Sequence, residues 1–460
     1  MRENTDKPRK TGSVRARLDA LRPLLGVLFL GGYAWQTFAP DSFGTALFLG
    51  TGAVLFAISV PWSSTFHRAF ALVAFVALCA TIFSGRFDFA DYYKGMPTYC
   101  GIVAVLLVLS IAGYPIRAAR FEVQIRALMA ALTGRGVSVK TTAGALGHVL
   151  GAVLDVGALV LIDVITGRSA PKERIDALKW AGRAYSFAPL WTNLNLLTAT
   201  TIVLTGVSYP SLLAVTLPFV LVGLAVTLLF AQREGGEVEQ IPQVPLDRGA
   251  AAVLLYPVLL VSAVALVNLT FSALPLTAAI AMTVVVIVVL IATLAAVLTR
   301  TISPLGRLGH ETRASLQSSH PEFALFVSAG ILVLSLKELG ALAPLGALLS
   351  ALPTALVAPA LALIMALGFV VGIHVIPMVL LLNTAFPLDG GPAPALWAAA
   401  LLLGSQSVLL LTPFSTTVTM LSRLTGMHPL EVGPRRNLGF GLVVAVAAIL
   451  YLGLLTFLLL

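Results

Sequence analysis

Charge is what this sequence has least of. Of its 460 residues only 11% are Asp, Glu, Lys or Arg, while 58% are hydrophobic and the mean hydropathy is +0.97. A soluble domain carries about 25% charged residues, so a soluble globular protein is excluded. Cysteine is nearly missing too. Cys79 and Cys100 lie in or beside apolar runs and can build neither a disulfide framework nor a metal site. No Walker loop is present, which excludes ATP-driven transport by this chain. No nucleophile sits in a recognisable catalytic setting, and no His, Cys and Asp residues share metal-ligand spacing. The chain therefore reads as a non-enzyme, with no cofactor or metal and at most a coupling ion, H+ or Na+. Acidic residues are scarcer than basic ones, 20 against 29, for a formal charge of +9. In a membrane protein such an excess marks cytoplasmic loops, and nucleic acid is not among the expected partners.

What the sequence has is a succession of apolar runs near the roughly 20 residues that cross a bilayer. Seven basic residues precede the first, between Arg2 and Arg22, and no small-residue cleavage site follows. The run is read as an uncleaved span with its N-terminus inside. Spans are expected near 20–38, 43–61, 66–84 and 97–114. The loop "SGRFDFADYYKGMP" falls outside and the basic, amphipathic "RAARFEVQIRALMAALTGRGVSVK" lies on the cytoplasmic surface.

Thr141 to Ile165 then breaks the alternation. It is one span long, yet "GRSAPKERIDALKWAGRAY" after it is basic again. A re-entrant hairpin satisfies the charge rule where a crossing violates it, and Gly144, Gly147, Gly151 and Gly157 offer places to bend. Crossings follow at 186–206, 210–231, 250–270, 275–298 and 321–341. A second hairpin is expected within 343–386, a broken span at 394–424 and a last one at 437–459. The expected fold is all-α and polytopic, with about eleven transmembrane helices and the C-terminus outside. Its expected divisions are a basic N-terminus (1–19), N-terminal helices (20–61), a first repeat (62–231), a cytoplasmic linker (232–249) and a second repeat (250–460).

The repeat is read from three short echoes. "ALGHVLG" at Ala145 matches "ALGFVVG" at Ala366, "APLWT" around Pro189 matches "TPFST" around Pro413, and "GVSYP" at Gly206 matches "GMHP" at Gly426. All three lie 220 to 224 residues apart. Five crossings separate the hairpins, so the second copy is inverted. Inverted repeats with interrupted helices place substrate near the bilayer midplane. This order of hairpin, proline-broken helix and closing span, given twice, resembles the ion transporter superfamily. That group includes divalent anion/sodium symporters, gluconate permeases, arsenite antiporters and the large subunits of tripartite carboxylate transporters. The resemblance implies a secondary active transporter working by alternating access, elevator-like, in a bacterial-type inner membrane. The second reading is a carrier or flippase of lipid-linked solutes, favoured by hairpin tips that lack the Ser-Asn-Thr signature of the divalent-anion symporters.

Candidate solute-binding residues cluster at the two breaks: Ser186, Trp191, Thr192, Asn193 and Asn195 at the first, Thr412, Ser415, Thr416 and Thr417 at the second, with Pro189 and Pro413 as the breakers. Isolated membrane Ser and Thr often only bond the carbonyl four residues back. Clustered beside a proline, they read as a polar site. Intramembrane carboxylates are functional suspects, which singles out Asp155 and Asp163. His148 lies seven residues before Asp155 and shares its face if the helix is unbroken, so the pair could carry a proton. Asp163 could instead pair with a loop arginine such as Arg168. His374 and Asn383 are further candidates for ion coupling. The resemblance also implies helix N-termini pointing at the site, which favours an anionic solute. Partners are then bilayer lipids and that solute, and assembly as a homodimer is allowed.

Overall fold

In hydrocarbon no water is available to bond an exposed N–H or C=O, so an apolar chain must close its hydrogen bonds within helices. The computed structural model describes residues 11–39, 41–118, 121–167, 171–234, 249–271, 274–386 and 393–459. Arg168, most of the basic N-terminus and most of the 232–249 linker lie outside them. The described residues form α-helices and no strand. In chain order these are α1 (Thr11–Phe38), α2 (Ser42–Ser59), α3 (Thr65–Phe83), α4 (Phe89–Leu109), α5 (Tyr114–Ala118), α6 (Phe121–Gly134) and α7 (Val139–Leu154). Next come α8 (Gly157–Thr166), α9 (Pro171–Tyr185), α10 (Leu196–Thr205), α11 (Tyr209–Arg233), α12 (Gly249–Thr270), α13 (Leu276–Thr299) and α14 (Ser303–Ser318). The last are α15 (His320–Glu338), α16 (Ala343–Ser350), α17 (Thr354–Val370), α18 (Val375–Ala385), α19 (Pro394–Ser407), α20 (Thr416–Thr425) and α21 (Arg436–Leu459). Among the described residues seven helical segments are long and apolar enough to cross a bilayer. The protein is an all-α polytopic membrane protein.

Contacts divide the chain into two units: residues 1–111 with 289–340, and 112–288 with 341–460. In the first, α15 packs against α2, α3 and α4, and α1 packs on α2 and α14. Arg22 is buried there and donates to Ile58 O at 2.9 Å and Gln317 O at 3.2 Å. All the hairpins and helix breaks belong to the second unit.

Three expectations change. The loop before the fourth span is helix from Phe89 onward, because Asp88 caps it by accepting from Ala90 N at 2.7 Å. The stretch between the spans expected at 275–298 and 321–341 is no plain connection but the amphipathic helix α14. Most consequential, "PKERIDALKWAGRAY" is no loop. It is helix α9, and Ala177, Leu178, Ala181, Ala184 and Tyr185 form its buried face at helical spacing. Five cations over 168–183 concealed that stripe.

Three glycines of the first hairpin, Gly144, Gly147 and Gly151, pack rather than bend. A Cβ on Gly147 would lie 2.9 Å from the Cα and O of Ala181, and one on Gly144 would lie 3.5 Å from Trp180 O. These two and Gly151 form a small-residue seam that draws α7 onto α9. The second hairpin repeats the device: a Cβ on Gly404 of α19 would lie 2.7 Å from Ala362 Cα of α17. The turn of the first hairpin is at Asp155, with φ 51° and ψ −137°. In the second it falls between α17 and α18, where Gly372 has φ 96°.

Candidate functional site

α9 stops at Tyr185 and α10 starts at Leu196, with a single 3-10 turn, Ala188–Leu190, between them. Pro189 forms that turn and supplies no N–H. The backbone groups so freed are satisfied by neighbouring side chains. Thr198 of α10 donates to Pro189 O, Tyr209 of α11 donates to Trp191 O at 2.5 Å, and Thr192 donates to Ala152 O of α7 at 2.9 Å. Thr192 Oγ1 also accepts from Leu194 N, and Asn195 caps α10 by accepting from Leu197 N at 3.0 Å. The interruption is therefore a built feature of the fold. Ser186 lies just before it, buried, and donates to Arg183 O at 2.7 Å.

The second break has the same plan. α19 ends at Ser407 and α20 starts at Thr416. Thr412, fully buried, accepts from Phe414 N at 3.3 Å, and Ser415 caps α20 by accepting from Val418 N at 3.1 Å. Both α10 and α20 are ten residues long and end on left-handed glycines, Gly206 (φ 66°) and Gly426 (φ 72°). Three pairs, Thr192 with Thr412, Asn195 with Ser415 and Gly206 with Gly426, all lie 220 residues apart. In that register Pro413 stands opposite Asn193 and Pro189 opposite Leu409. The prolines interrupt corresponding breaks without occupying corresponding positions.

One buried apolar cluster joins the two breaks to the second hairpin: Tyr185 and Ala188 from the first break, Val408 and Leu409 from the second, and Phe369 from α17. Val156 at the first hairpin's turn and Val375 at the start of α18 pack against it. At its edge lies the polar group of greatest interest. Asp155 is exposed, and its Oδ1 accepts from the buried Tyr185 hydroxyl and from Asn195 Nδ2 at 3.4 Å. A non-glycine residue at φ 51° and ψ −137° costs on the order of 1–3 kcal/mol. The turn is thus held under strain by the two bonds to the broken helix. Thr416, beside Thr417, is exposed.

His148 does not join Asp155. α7 ends at Leu154 and the backbone turns at Asp155, so the seven-residue spacing no longer implies a shared face. The imidazole Nδ1 lies 3.0 Å from Ala184 O and its Nε2 accepts from Trp191 Nε1 at 3.0 Å. A carbonyl can only accept and an indole N–H can only donate. The two bonds require a neutral ring with the proton on Nδ1, and they tie the hairpin to the break. Trp191 also sits with its ring 5.9 Å from the imidazole.

Of the other sequence candidates, Asp163 makes a two-pronged bond to Arg174 at 2.6 and 2.9 Å, and Arg174 also donates to Leu424 O. Asn383 donates to Leu204 O at 2.8 Å near the end of α10, and His374 caps α18 through Ile376 N. These geometries are those of structural ties. Asn193 is fully buried; its Nδ2 reaches Val261 O only at 3.5 Å and its Oδ1 has no partner. Gln406 Oε1, next to the second break, and the Thr200 hydroxyl on α10 are also buried without partners. Tyr185 and Gln406 escaped the sequence reading. Each is a polar group within the last two residues before a break, and that position is the signal that would have found them. Among the described residues no group of three His, Cys, Asp or Glu could hold a metal.

No protein-family model and no curated protein matches the chain. Among solved structures, the Alcanivorax borkumensis YdaH transporter, described as having an unusual topology, is similar at a TM-score of 0.47 and 14% identity. That similarity covers 85% of this chain and 98% of the other.

Proposed function

We propose that the protein is a secondary active transporter of the ion transporter type, moving a small anionic solute by alternating access. One observation carries the reading: two helix breaks and two hairpins meet at a single cluster whose edge holds Asp155, Tyr185 and Asn195. The two copies are taken as inverted, with the N-terminus cytoplasmic and the protein in a bacterial-type inner membrane. Irregular backbone at membrane depth is tolerated where it lines a cavity or is buried in protein, and half-helices of about 15 Å leave their ends near mid-bilayer. The capped N-termini of α10 and α20 each carry about half a positive charge, which suits an anion. The orphaned acceptors Asn193 Oδ1 and Gln406 Oε1 suit the donor atoms of that solute. Asp155 supplies the coupling site, and the proposed ion is the proton.

A thermal-shift screen of purified protein against mono- and dicarboxylates, neutral solutes and amines tests the solute class. Carboxylate-selective stabilisation, lost in Asn195→Ala, supports it; stabilisation by amines alone overturns it. Uptake of the carboxylate so identified into liposomes then tests coupling. Uptake driven by an imposed pH gradient and lost in Asp155→Asn is expected, and uptake that follows sodium alone contradicts proton coupling. A lipid-linked solute is the second reading, favoured by Phe414, 68% exposed beside the second break. An isoprenoid-linked carrier that stabilises the protein where free carboxylates do not would establish it.

A further inference from the structure

Side-chain bonds hold the first hairpin to the first break and to the helix that leads into it. Thr192 donates to Ala152 O, Tyr185 and Asn195 donate to Asp155, and Trp191 Nε1 donates to His148 Nε2 at 3.0 Å. Of these bonds only the last is reversed in polarity by one proton. A hydroxyl and a backbone carbonyl do not titrate near neutrality, and a carboxyl protonated on one oxygen still accepts through the other. The imidazole is different.

His148 Nδ1 lies 3.0 Å from Ala184 O, which can only accept, so the proton of the neutral ring is on Nδ1 and Nε2 is the acceptor. A second proton can go only to Nε2. There it meets the indole N–H, and two donors at 3.0 Å repel. Turning the ring over does not help, because both nitrogens of an imidazolium are donors. The bond to Ala184 survives and gains from the charge. Protonation therefore keeps the ring on α9 and drops Trp191.

Among the described side chains no charge pairs with the ring. α7 packs against α6, α8, α9, α11, α12 and the 3-10 turn. On α9, Arg183 is spent on Glu234 and Asn437 and Lys179 on Glu234, while Lys172, Glu173, Arg174 and Asp176 lie two turns or more toward the start of the helix. Asp163 of α8 is paired with Arg174, and Arg126 of α6 donates to Ile165 O. Tyr209 of α11 and Tyr256 of α12 donate to Trp191 O and Ala112 O, and Arg233 stands at the far end of α11. The Asp155 carboxylate is taken by Tyr185 and Asn195. Lys140, on α7 itself, is about 12 Å away along the helix.

The ring is not sealed. His148 is 9% exposed and belongs to the wall of a cavity of about 270 Å³ between α7, α9 and α11, which extends to Lys140 and Thr141 in the first turn of α7. That is the volume of several waters, so solvent has a way to the imidazole. Histidine is also the side chain whose charge changes between about pH 5 and 8.

We propose that His148 is a proton-operated latch. Neutral, it holds Trp191 and the first break against α7; protonated, it releases them, and with them the capped start of α10. The latch depends neither on the identity of the solute nor on Asp155 as the coupling site.

NMR of the full chain in detergent, isotope-labelled at tryptophan, tests the switch through the indole N–H resonances. Trp191→Phe identifies the one that belongs to Trp191 and keeps an aromatic ring in the break. From about pH 8 to about pH 5 that resonance should shift from a hydrogen-bonded to a free position in the wild type. In His148→Leu it should sit at the acid position throughout. Hydrogen exchange of the backbone over 188–195, corrected for the intrinsic effect of pH, reads the release itself. Protection should fall on acidification in the wild type and be low at both pH values in Trp191→Phe. A wild-type indole that stays in place overturns the proposal, and so does one that shifts equally in His148→Leu, since another group would then be titrating. Full protection in Trp191→Phe would show that the bond holds nothing and overturn it as well.

Discussion

Arg183 gives the sharpest prediction about stability. It is 2% exposed and reaches two other helices at once. Nε donates to Asn437 Oδ1 at 2.9 Å, one terminal nitrogen to Glu234 Oε1 at 3.0 Å and the other to Arg436 O at 3.1 Å. Its guanidinium also stacks on Trp180 and Phe440, at 4.5 and 5.0 Å. The residue thus ties the half-helix before the first break to the ends of α11 and α21. Arg183→Met fills similar volume and removes every donor. Glu234 keeps Lys179, 2.5 Å away, and is one-third exposed, so its charge is not stranded. Asn437 Oδ1 is stranded, since Asn437 is 1% exposed. At about 1–3 kcal/mol per buried orphan, with the Arg436 carbonyl and the lost ring contacts, the cost is about 3 kcal/mol. Unfolding of the detergent-solubilised protein, followed by intrinsic fluorescence, should shift down by about 3 °C. Arg183→Lys keeps the charge but not the three-way fork and should fall between. A midpoint for Arg183→Met within about a degree of wild type would refute the reasoning, because a buried guanidinium with three partners would then be dispensable.

The same cluster sets an acid limit. Burial pushes the Glu234 carboxyl up, but the Lys179 hydrogen bond and the Arg183 charge outweigh it and hold the group below its ordinary 4.5. Its contribution is complete above 4.5 and lost as pH falls further. Glu234→Gln should therefore flatten the decline of the unfolding midpoint below that pH, and an unchanged slope would count against the pairing. Gly147→Ala should destabilise by about 1–3 kcal/mol, since the new methyl meets Ala181 backbone at 2.9 Å. Gly439→Ala on α21, with nothing within 4 Å, should be neutral or stabilising. Equal midpoints for the two would mean that α7 and α9 are not seamed as described. Asn383→Leu should cost about 1–3 kcal/mol by stranding Leu204 O, checked by the same melt.

Much of this architecture was legible in the chain. Apolar runs placed most long helices to within a few residues, because only helices satisfy backbone in lipid. The two breaks were visible as prolines among Thr, Ser and Asn. What stayed hidden depended on neighbours. α9 was masked because charge counting outweighed a stripe visible only at a period of 3.6 residues. The glycines of α7 looked like hinges, since composition cannot distinguish a Gly that bends from one against which another backbone packs. The proline-to-proline alignment was four residues out of register, because the repeat is carried by caps and left-handed glycines rather than by the prolines. His148 and Asp155 looked like partners along an unbroken helix, and the turn at Asp155 gave each a different partner.

The central claim is that the two hairpins are inverted copies, one opening to each side of the membrane. The tips are Val156 and Ile373, beside the turns at Asp155 and Gly372. Single cysteines at these positions, with Cys79 and Cys100 replaced, can be labelled in oriented membrane vesicles by a thiol reagent that does not cross the bilayer. Labelling of Val156→Cys only from the cytoplasmic side and of Ile373→Cys only from the opposite side is the predicted result. Labelling of both from one side would contradict the inverted arrangement and, with it, the alternating-access reading.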